Sequence, residues 1–240
     1  MKNLIEARKL IKTFNGRQAV KGISLEIRKG EVLALIGTNG AGKSTTLSML
    51  LGILSPDSGN VEYWRPDFKG HIGVQLQSTP FFEGYTAEEN LELFSALYNV
   101  KLSKSRLLEH LEKCGLAEAR KIPAVRMSLG QQKRLAIAVT NIHHPELIVL
   151  DEPTAGLDPR ARHEIRGMIN QLAKENVTVL FSSHDMEEVS RTADRIILLH
   201  AGAIAAEGKP EELLIKHSAE NLEELYLKLT EVGGFHENNI

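Results

Sequence analysis

The sequence predicts an α/β fold with a mainly parallel sheet core, an antiparallel β subdomain at its start and an inserted α-helical subdomain. Three observations predict it. Short apolar runs recur without polar alternation, as strands buried on both faces of a parallel sheet do. Helical patterns separate those runs, as parallel crossovers require. The strand signals then vanish from Thr86 to about Ile142.

Asn15-Gly16 lies between two strand-like runs, the favoured pair for a two-residue hairpin, so an antiparallel flank precedes the main sheet. VLALI (32–36) is the first buried strand, and Ser55-Pro56-Asp57-Ser58-Gly59 is a turn cluster. Thr86-Ala87-Glu88-Glu89 has capping-box spacing and opens a helix. A second helix covers residues 103–114. A third follows Ser128, with Leu135, Ala138, Val139 and Ile142 as its apolar stripe. Apolar strands recur at 147–150, 177–181 and 196–199, and Asp158-Pro159 opens a helix over 160–174. From Pro210 the chain is helical again. Leu222, Leu225, Tyr226 and Leu229 form a stripe, and Gly233-Gly234 ends it. This gives a single domain over 1–240: a core of 1–82 and 143–209, a helical subdomain of 83–142 and a helical tail of 210–240.

Composition narrows the function. Twenty-nine Lys plus Arg against 31 Asp plus Glu leave a formal net charge of −2, without the basic footprint of a nucleic-acid binder. A single cysteine, Cys114, excludes an internal disulfide framework and a Cys-rich zinc site. It shares a stripe with Leu107, Leu108 and Leu111, as a core thiol does. No apolar run approaches the ~18 residues of a membrane helix, and no signal-peptide pattern opens the chain. A soluble protein of a reducing compartment is expected, held at any membrane by another chain. His143-His144 lacks acids or cysteines at ligand spacing and is expected in the core or at the surface.

GTNGAGKST, residues 37–45, follows a buried strand and leads into a helix, the context of a phosphate-binding P-loop. Gly37, Gly40 and Gly42 let the backbone turn around phosphates. The N–H groups of Thr38, Asn39, Ala41 and Thr45 belong to the same cradle, with the helix dipole behind it. Lys43 neutralises β- and γ-phosphate charge, and Ser44 offers Mg²⁺ a hard oxygen. LIVLDEPT (147–154) is an apolar strand ending in two acids. Asp151 is expected to reach the Mg²⁺, and Glu152 to take a proton from attacking water. The chain is thus expected to be a P-loop protein that binds a nucleotide with Mg²⁺. In MSLGQQKRLAIA (127–138), a Ser-capped helix starts without acids, and Gln131, Gln132, Lys133 and Arg134 are expected to fill its first turn. A helix start is the positive end of the dipole, so this one is expected to meet an external anion.

Together these segments resemble the ATP-binding subunit of ABC transporters along nearly the whole chain. MSLGQ (127–131) looks like the family's signature, with Leu129 in the place of its first Gly. AGLD (155–158) looks like the loop after the catalytic acid. SSHD (182–185) resembles the switch-histidine segment, and IGVQLQ (72–77) the segment ending in the switch glutamine. The resemblance implies a P-loop NTPase with ATP as its nucleotide. It also implies that His184 contacts the γ-phosphate and that Gln77 touches Mg²⁺ or water. It places Phe14 against adenine, with packing inside a hairpin as the alternative. Two subunits, as homodimer or heterodimer, would meet head to tail, so that Ser128 Oγ and the Gly130 N–H, with Gln131 and Asp158 nearby, cap ATP held by the other chain. It further implies a membrane-spanning permease subunit, docked near residues 77–91 with Pro80, Phe81, Phe82 and Tyr85 as anchors, or with these aromatics packed internally. The location would be peripheral, on the cytoplasmic face of the cell membrane. The Ser-Leu-Gly signature and the tail at 221–231 resemble drug, antibiotic and bacteriocin-resistance exporters. An importer ATPase and a soluble ATPase of iron–sulfur cluster assembly stay open.

Overall fold

The computed structural model describes residues 2–76, 81–82 and 84–231. In chain order, its first half holds β1 (Asn3–Phe14), β2 (Arg17–Arg28), β3 (Val32–Ile36), α1 (Lys43–Leu50), β4 (Ser58–Tyr63), β5 (Ile72–Gln75), α2 (Ala87–Leu97) and α3 (Lys104–Lys113). Its second half holds α4 (Leu129–Thr140), β6 (Leu147–Asp151), α5 (Pro159–Lys174), β7 (Thr178–Ser183), α6 (Met186–Ser190), β8 (Arg195–His200), β9 (Ala203–Gly208), α7 (Pro210–Lys216) and α8 (Leu222–Glu231). The chain divides into two compact units, one of Met1–Pro66 with Leu180–Ile240 and one of Asp67–Val179, and β7 runs through the division.

In the first unit β1 and β2 form the expected hairpin. Asn15 and Gly16 sit at φ 48° and 80°, as a type I′ turn needs. β4 pairs with the other edge of β1, giving an antiparallel sheet of order β2-β1-β4. β4 begins inside the expected turn cluster, at Ser58. Gly59 makes this possible, since a Cβ there would lie 2.4 Å from the Arg8 carbonyl oxygen. β3 is buried throughout and pairs in parallel with β8, whose other side pairs antiparallel with β9. A buried Arg195 ties these strands together. Its guanidinium donates to Glu31 Oε1 at 2.6 Å and Oε2 at 3.0 Å, to the Glu26 carbonyl at 2.7 Å, and to Glu207. α7 opens on Pro210, as the tail pattern predicts, and α8 buries Leu222 and Leu225. Gly233 and Gly234 lie outside the described residues.

In the second unit β5 and β6 pair in parallel. α2, α3 and α4 gather a core from Leu91, Leu107, Leu111, Leu135, Ala138 and Ile142. This is the expected helical segment. Thr86 and Glu89 form the reciprocal cap of α2, and Ser103 caps α3 by accepting from the Arg106 N–H. Cys114 closes α3 on the core side, where burial pushes its thiol up to about 12. His143 stacks on Tyr98 with ring centroids 3.9 Å apart. Among the described residues no group of three or more His, Cys, Asp or Glu could hold a metal ion.

Candidate functional site

The phosphate loop lies wholly in the first unit. Parallel pairing with β8 fixes where β3 ends, and the chain then turns at Gly37 against the end of β8. A Cβ on Gly37 would lie 2.4 Å from the Leu199 carbonyl oxygen. Gly42, at φ 102°, also approaches backbone closely, with 2.8 Å between a Cβ there and the Ala19 carbonyl oxygen. The β8–β9 turn supports the loop from below. The Gly202 N–H donates to the Ala41 carbonyl at 3.1 Å, and the Lys21 N–H to the Gly202 carbonyl at 2.8 Å.

α1 starts at Lys43 with no side-chain cap and no acid in its first turn. Such a start leaves backbone N–H groups and the positive end of the helix dipole for an anion. Lys43 is 6% exposed, and its ammonium donates to the carbonyls of Gly37 at 2.8 Å and Thr38 at 3.4 Å. The cation is held within the loop that a phosphate would enter. Thr38, Asn39, Gly40 and Ser44 are exposed and Thr45 half-buried. These features fit a nucleoside triphosphate.

Phe14 ends β1 and is 46% exposed, so it is not a core side chain of the hairpin. Asp57 pins that end of the strand. It accepts from Lys12 Nζ and from the Thr13 N–H, each at 2.7 Å, and the Lys12 partner holds its carboxyl below the usual value. Lys12 Nζ also lies 5.8 Å from the Phe14 ring centroid. His184 is exposed between β7 and α6, next to Asp185, which caps α6 by accepting from the Glu188 N–H at 3.0 Å.

The acids lie in the second unit. β6 is buried along its length and delivers Asp151 at 5% exposure. Glu152 follows at φ 51°, a left-handed conformation uncommon for a residue with a long side chain. Strain of this kind clusters at functional sites, and here it falls on the proposed base. Lys133 lies beside it, its Nζ 3.4 Å from the Glu152 carbonyl. Burial pushes the Lys133 ammonium down, against the opposing pull of Asp151 and Glu152.

This corrects the expectation that Lys133 and Arg134 wait at a helix start for an external anion. α4 begins at Leu129, so both fall in its second turn. Lys133 is buried against the end of β6, and Arg134 pairs with Glu164 of α5 at 3.1 Å. Lys133 carries a signal in the sequence, since with Ala136, Ile137 and Thr140 it completes an i, i+3, i+4, i+7 stripe of buried positions. A lysine on such a stripe needs a polar partner inside.

The start of α4 is nonetheless free of acids. Ser128 caps it by accepting from the Gln131 N–H at 3.3 Å, while Gln131 Oε1 accepts from the Ser128 N–H at 3.0 Å. A hydroxyl that accepts can still donate its own proton. Gly130 lies against α5, where a Cβ would come 2.9 Å from the Ala161 methyl. Leu129 is 46% exposed and reaches over Gly156, with its Cδ2 3.3 Å from a Cβ built there. Asp158 caps α5, its Oδ1 accepting from the N–H groups of Arg160 at 2.9 Å and Ala161 at 3.0 Å. Ser128, Leu129, Gly130, Gln131 and Asp158 thus line one open cleft of about 290 Å³. Gln77 and Pro80 lie outside the described residues.

A glycine-turned loop between a buried parallel strand and an uncapped helix, with a lysine folded into it, defines a P-loop nucleotide-binding protein. The ABC transporter family profile matches residues 20–155. The chain is 36% identical over 228 residues to the lantibiotic transport ATP-binding protein SrtF of Streptococcus pyogenes, covering 93% of this chain and 96% of that one. It is also 36% identical over 219 residues to the linearmycin resistance ATP-binding protein LnrL of Bacillus subtilis (strain 168), covering 88% and 70%. A solved ATP-binding subunit of an ABC transporter superposes with a TM-score of 0.83 at 27% identity, covering 95% of this chain and 99% of that one. The dimeric structure of the bacterial ABC transporter cassette MJ0796 superposes with a TM-score of 0.76 at 28% identity, covering 86% and 98%. The chain belongs to the ABC transporter family, as its ATP-hydrolysing cassette.

Proposed function

We propose that this cassette powers export through a separate membrane-spanning permease subunit, as a head-to-tail dimer that closes on ATP. Export is supported by relatives named for lantibiotic transport and for linearmycin, daunorubicin and doxorubicin resistance. A separate permease is supported by relatives named as the ATP-binding proteins of transport and resistance systems. Its dock would be the aromatic surface of the second unit. There Phe82 and Tyr85 are each 45% exposed, beside a cavity of about 300 Å³ lined by Leu76, Phe81, Phe94 and Tyr98. Aromatic anchors of this kind favour an interface. The working location would be the cytoplasmic face of the cell membrane.

At the nucleotide, Phe14 stacks on adenine and the N–H groups of 37–45 hold the phosphates. Lys43 leaves the carbonyls of Gly37 and Thr38 for the β- and γ-phosphate oxygens. Ser44 Oγ, the Asp151 carboxylate and Gln77 offer oxygens of the type Mg²⁺ prefers and would hold it. When bound it supplies charge neutralisation at the phosphates. Glu152 takes the proton of the attacking water, and His184 donates to the γ-phosphate.

The observation that carries the dimer reading is the start of α4. Its Ser128 hydroxyl retains a proton to donate, and its first turn holds no acid. The anion it serves is ATP on the other subunit, approached by Ser128, Gly130, Gln131 and Asp158. Mixing two inactive variants tests this. In Lys43→Ala the subunit's own loop is dead, and in Ser128→Arg bulk blocks the cap. The mixed dimer holds one site with intact Lys43 and intact Ser128, so ATPase activity returns on mixing. Ser128→Arg that hydrolyses ATP at the parental rate removes Ser128 from the site.

A further inference from the structure

We propose that the C-terminal helix α8 belongs to the nucleotide site and that Tyr226 is a positioning residue for the phosphate loop. The Tyr226 hydroxyl donates to Thr38 Oγ1 at 3.0 Å across 188 residues of sequence. Both residues lie in the first unit. The inference rests on the reading that residues 37–45 hold ATP.

The contact is part of a continuous structure. The Tyr226 ring meets His200 edge-on, with centroids 6.2 Å apart at 70°, and His200 Nδ1 lies 3.5 Å from the hydroxyl. His200 follows Leu199, whose carbonyl abuts Gly37. The end of β8 thus touches the loop at Gly37 and touches Tyr226, which in turn holds the next loop residue. The Thr38 carbonyl accepts from the Ala41 N–H at 3.1 Å and lies 3.4 Å from Lys43 Nζ. Fixing the Thr38 side chain therefore restrains the peptide that helps place the lysine.

α8 is itself anchored. It buries Leu222 and Leu225, and it packs on α6, α7 and β9. α6 begins two residues after His184. One helix is therefore in contact with the phosphate loop and with the helix that follows His184. A loop already restrained in its binding conformation loses less entropy when the ligand arrives, so the restraint is felt in affinity. The bond joins Tyr226 and Thr38 and takes in no part of the proposed base, Glu152, so the chemical step is retained.

The test is ATP titration of the full-length chain in EDTA, which stops turnover, followed by steady-state kinetics with Mg²⁺. Tyr226→Phe keeps the ring on His200 and removes only the hydroxyl. A single side-chain hydrogen bond corresponds to a weakening of about two- to tenfold, seen as a higher Kd and a higher KM for ATP with kcat retained. Thr38→Val gives a similar loss, and the double variant is no weaker than the worse single variant, because both remove the same bond. Leu227→Ala, on an exposed side of α8, leaves the Kd at the parental value. Parental affinity in Tyr226→Phe overturns the inference, and so do two losses that multiply in the double variant. A parent chain that binds no ATP overturns the ATP reading together with the inference. A parent that binds ATP, with an unaffected Tyr226→Phe, overturns the inference alone.

Discussion

Replacing Gly130 with alanine tests why a glycine stands at the start of α4. The added Cβ would lie 2.9 Å from the Ala161 methyl. Carbon atoms rest at about 3.5–4.0 Å, so α4 and α5 must part by roughly half an ångström or more, or the methyl must be displaced. Overpacking of this kind costs about 1–3 kcal/mol, offset by up to about 1 kcal/mol from the better helix propensity of alanine. A net loss near 1–2 kcal/mol lowers the melting midpoint by about 2–8 °C at this chain length. Movement of the α4 start by such a distance also costs roughly a hundredfold in ATPase turnover if that helix caps the phosphate, while ATP binding to the chain's own loop is kept. The decisive assay is the same substitution in an Ala161→Gly background, where the obstructing methyl is gone. There Gly130→Ala is neutral or stabilising, and the turnover lost in the single variant returns. An equal cost in both backgrounds refutes the steric argument.

Lys43→Ala weakens ATP binding by about a hundredfold or more, the scale for removing one partner of a buried charge pair, as titration will show. Glu152→Gln keeps ATP affinity and slows hydrolysis by roughly 10²–10⁴-fold, measured by phosphate release; parental turnover removes Glu152 as the base. Arg195→Met leaves the Glu31 and Glu207 carboxylates without their shared buried partner. The expected loss is about 3–5 kcal/mol in denaturant unfolding, and a loss below 1 kcal/mol contradicts it. Cys114, with its folded pKa raised to about 12, contributes stability that is complete below its ordinary pKa near 9. That contribution is lost as pH rises through 9 towards 12, because the unfolded thiol ionises first. Cys114→Ala therefore flattens the alkaline fall in stability. Crosslinks from Phe82 in native membranes that capture soluble proteins alone would count against the permease dock.

The elements most legible in the sequence are those whose signal is local. β3, β6 and β8 are uninterrupted apolar runs because both of their faces are covered, and the Asn15-Gly16 turn and the Thr86 box are fixed by a few neighbouring residues. β4 and β9 were not legible. Both are rich in small or polar residues, and their strand state comes from partners, β1 and β8, that lie elsewhere in the chain. The site divides in the same way. The cradle at 37–45 is read from a local motif, its glycines with Lys43 and Ser44 between a strand and a helix. The partners of Lys133 and Arg134 do not, since they depend on where α4 points after its first turn. The need for Gly130 depends on how close α5 approaches, and the reach of Tyr226 to Thr38 depends on the path of the whole first unit.

The outer strand β9 has a consequence for how copies of this chain can associate. It is six residues long and stands at the end of its sheet, where an open backbone invites another strand. Here the invitation is blunted. The pairing with β8 shifts register between Leu198 and Leu199, Glu207 carries a charge fixed by Arg195, and α7 packs against the strand. Short length, irregular register and a fixed charge are the means by which sheet edges resist runaway polymerisation. Association through that edge is therefore disfavoured. The proposed head-to-tail dimer would then rest on side-chain surfaces, which can separate more readily than a hydrogen-bonded strand addition.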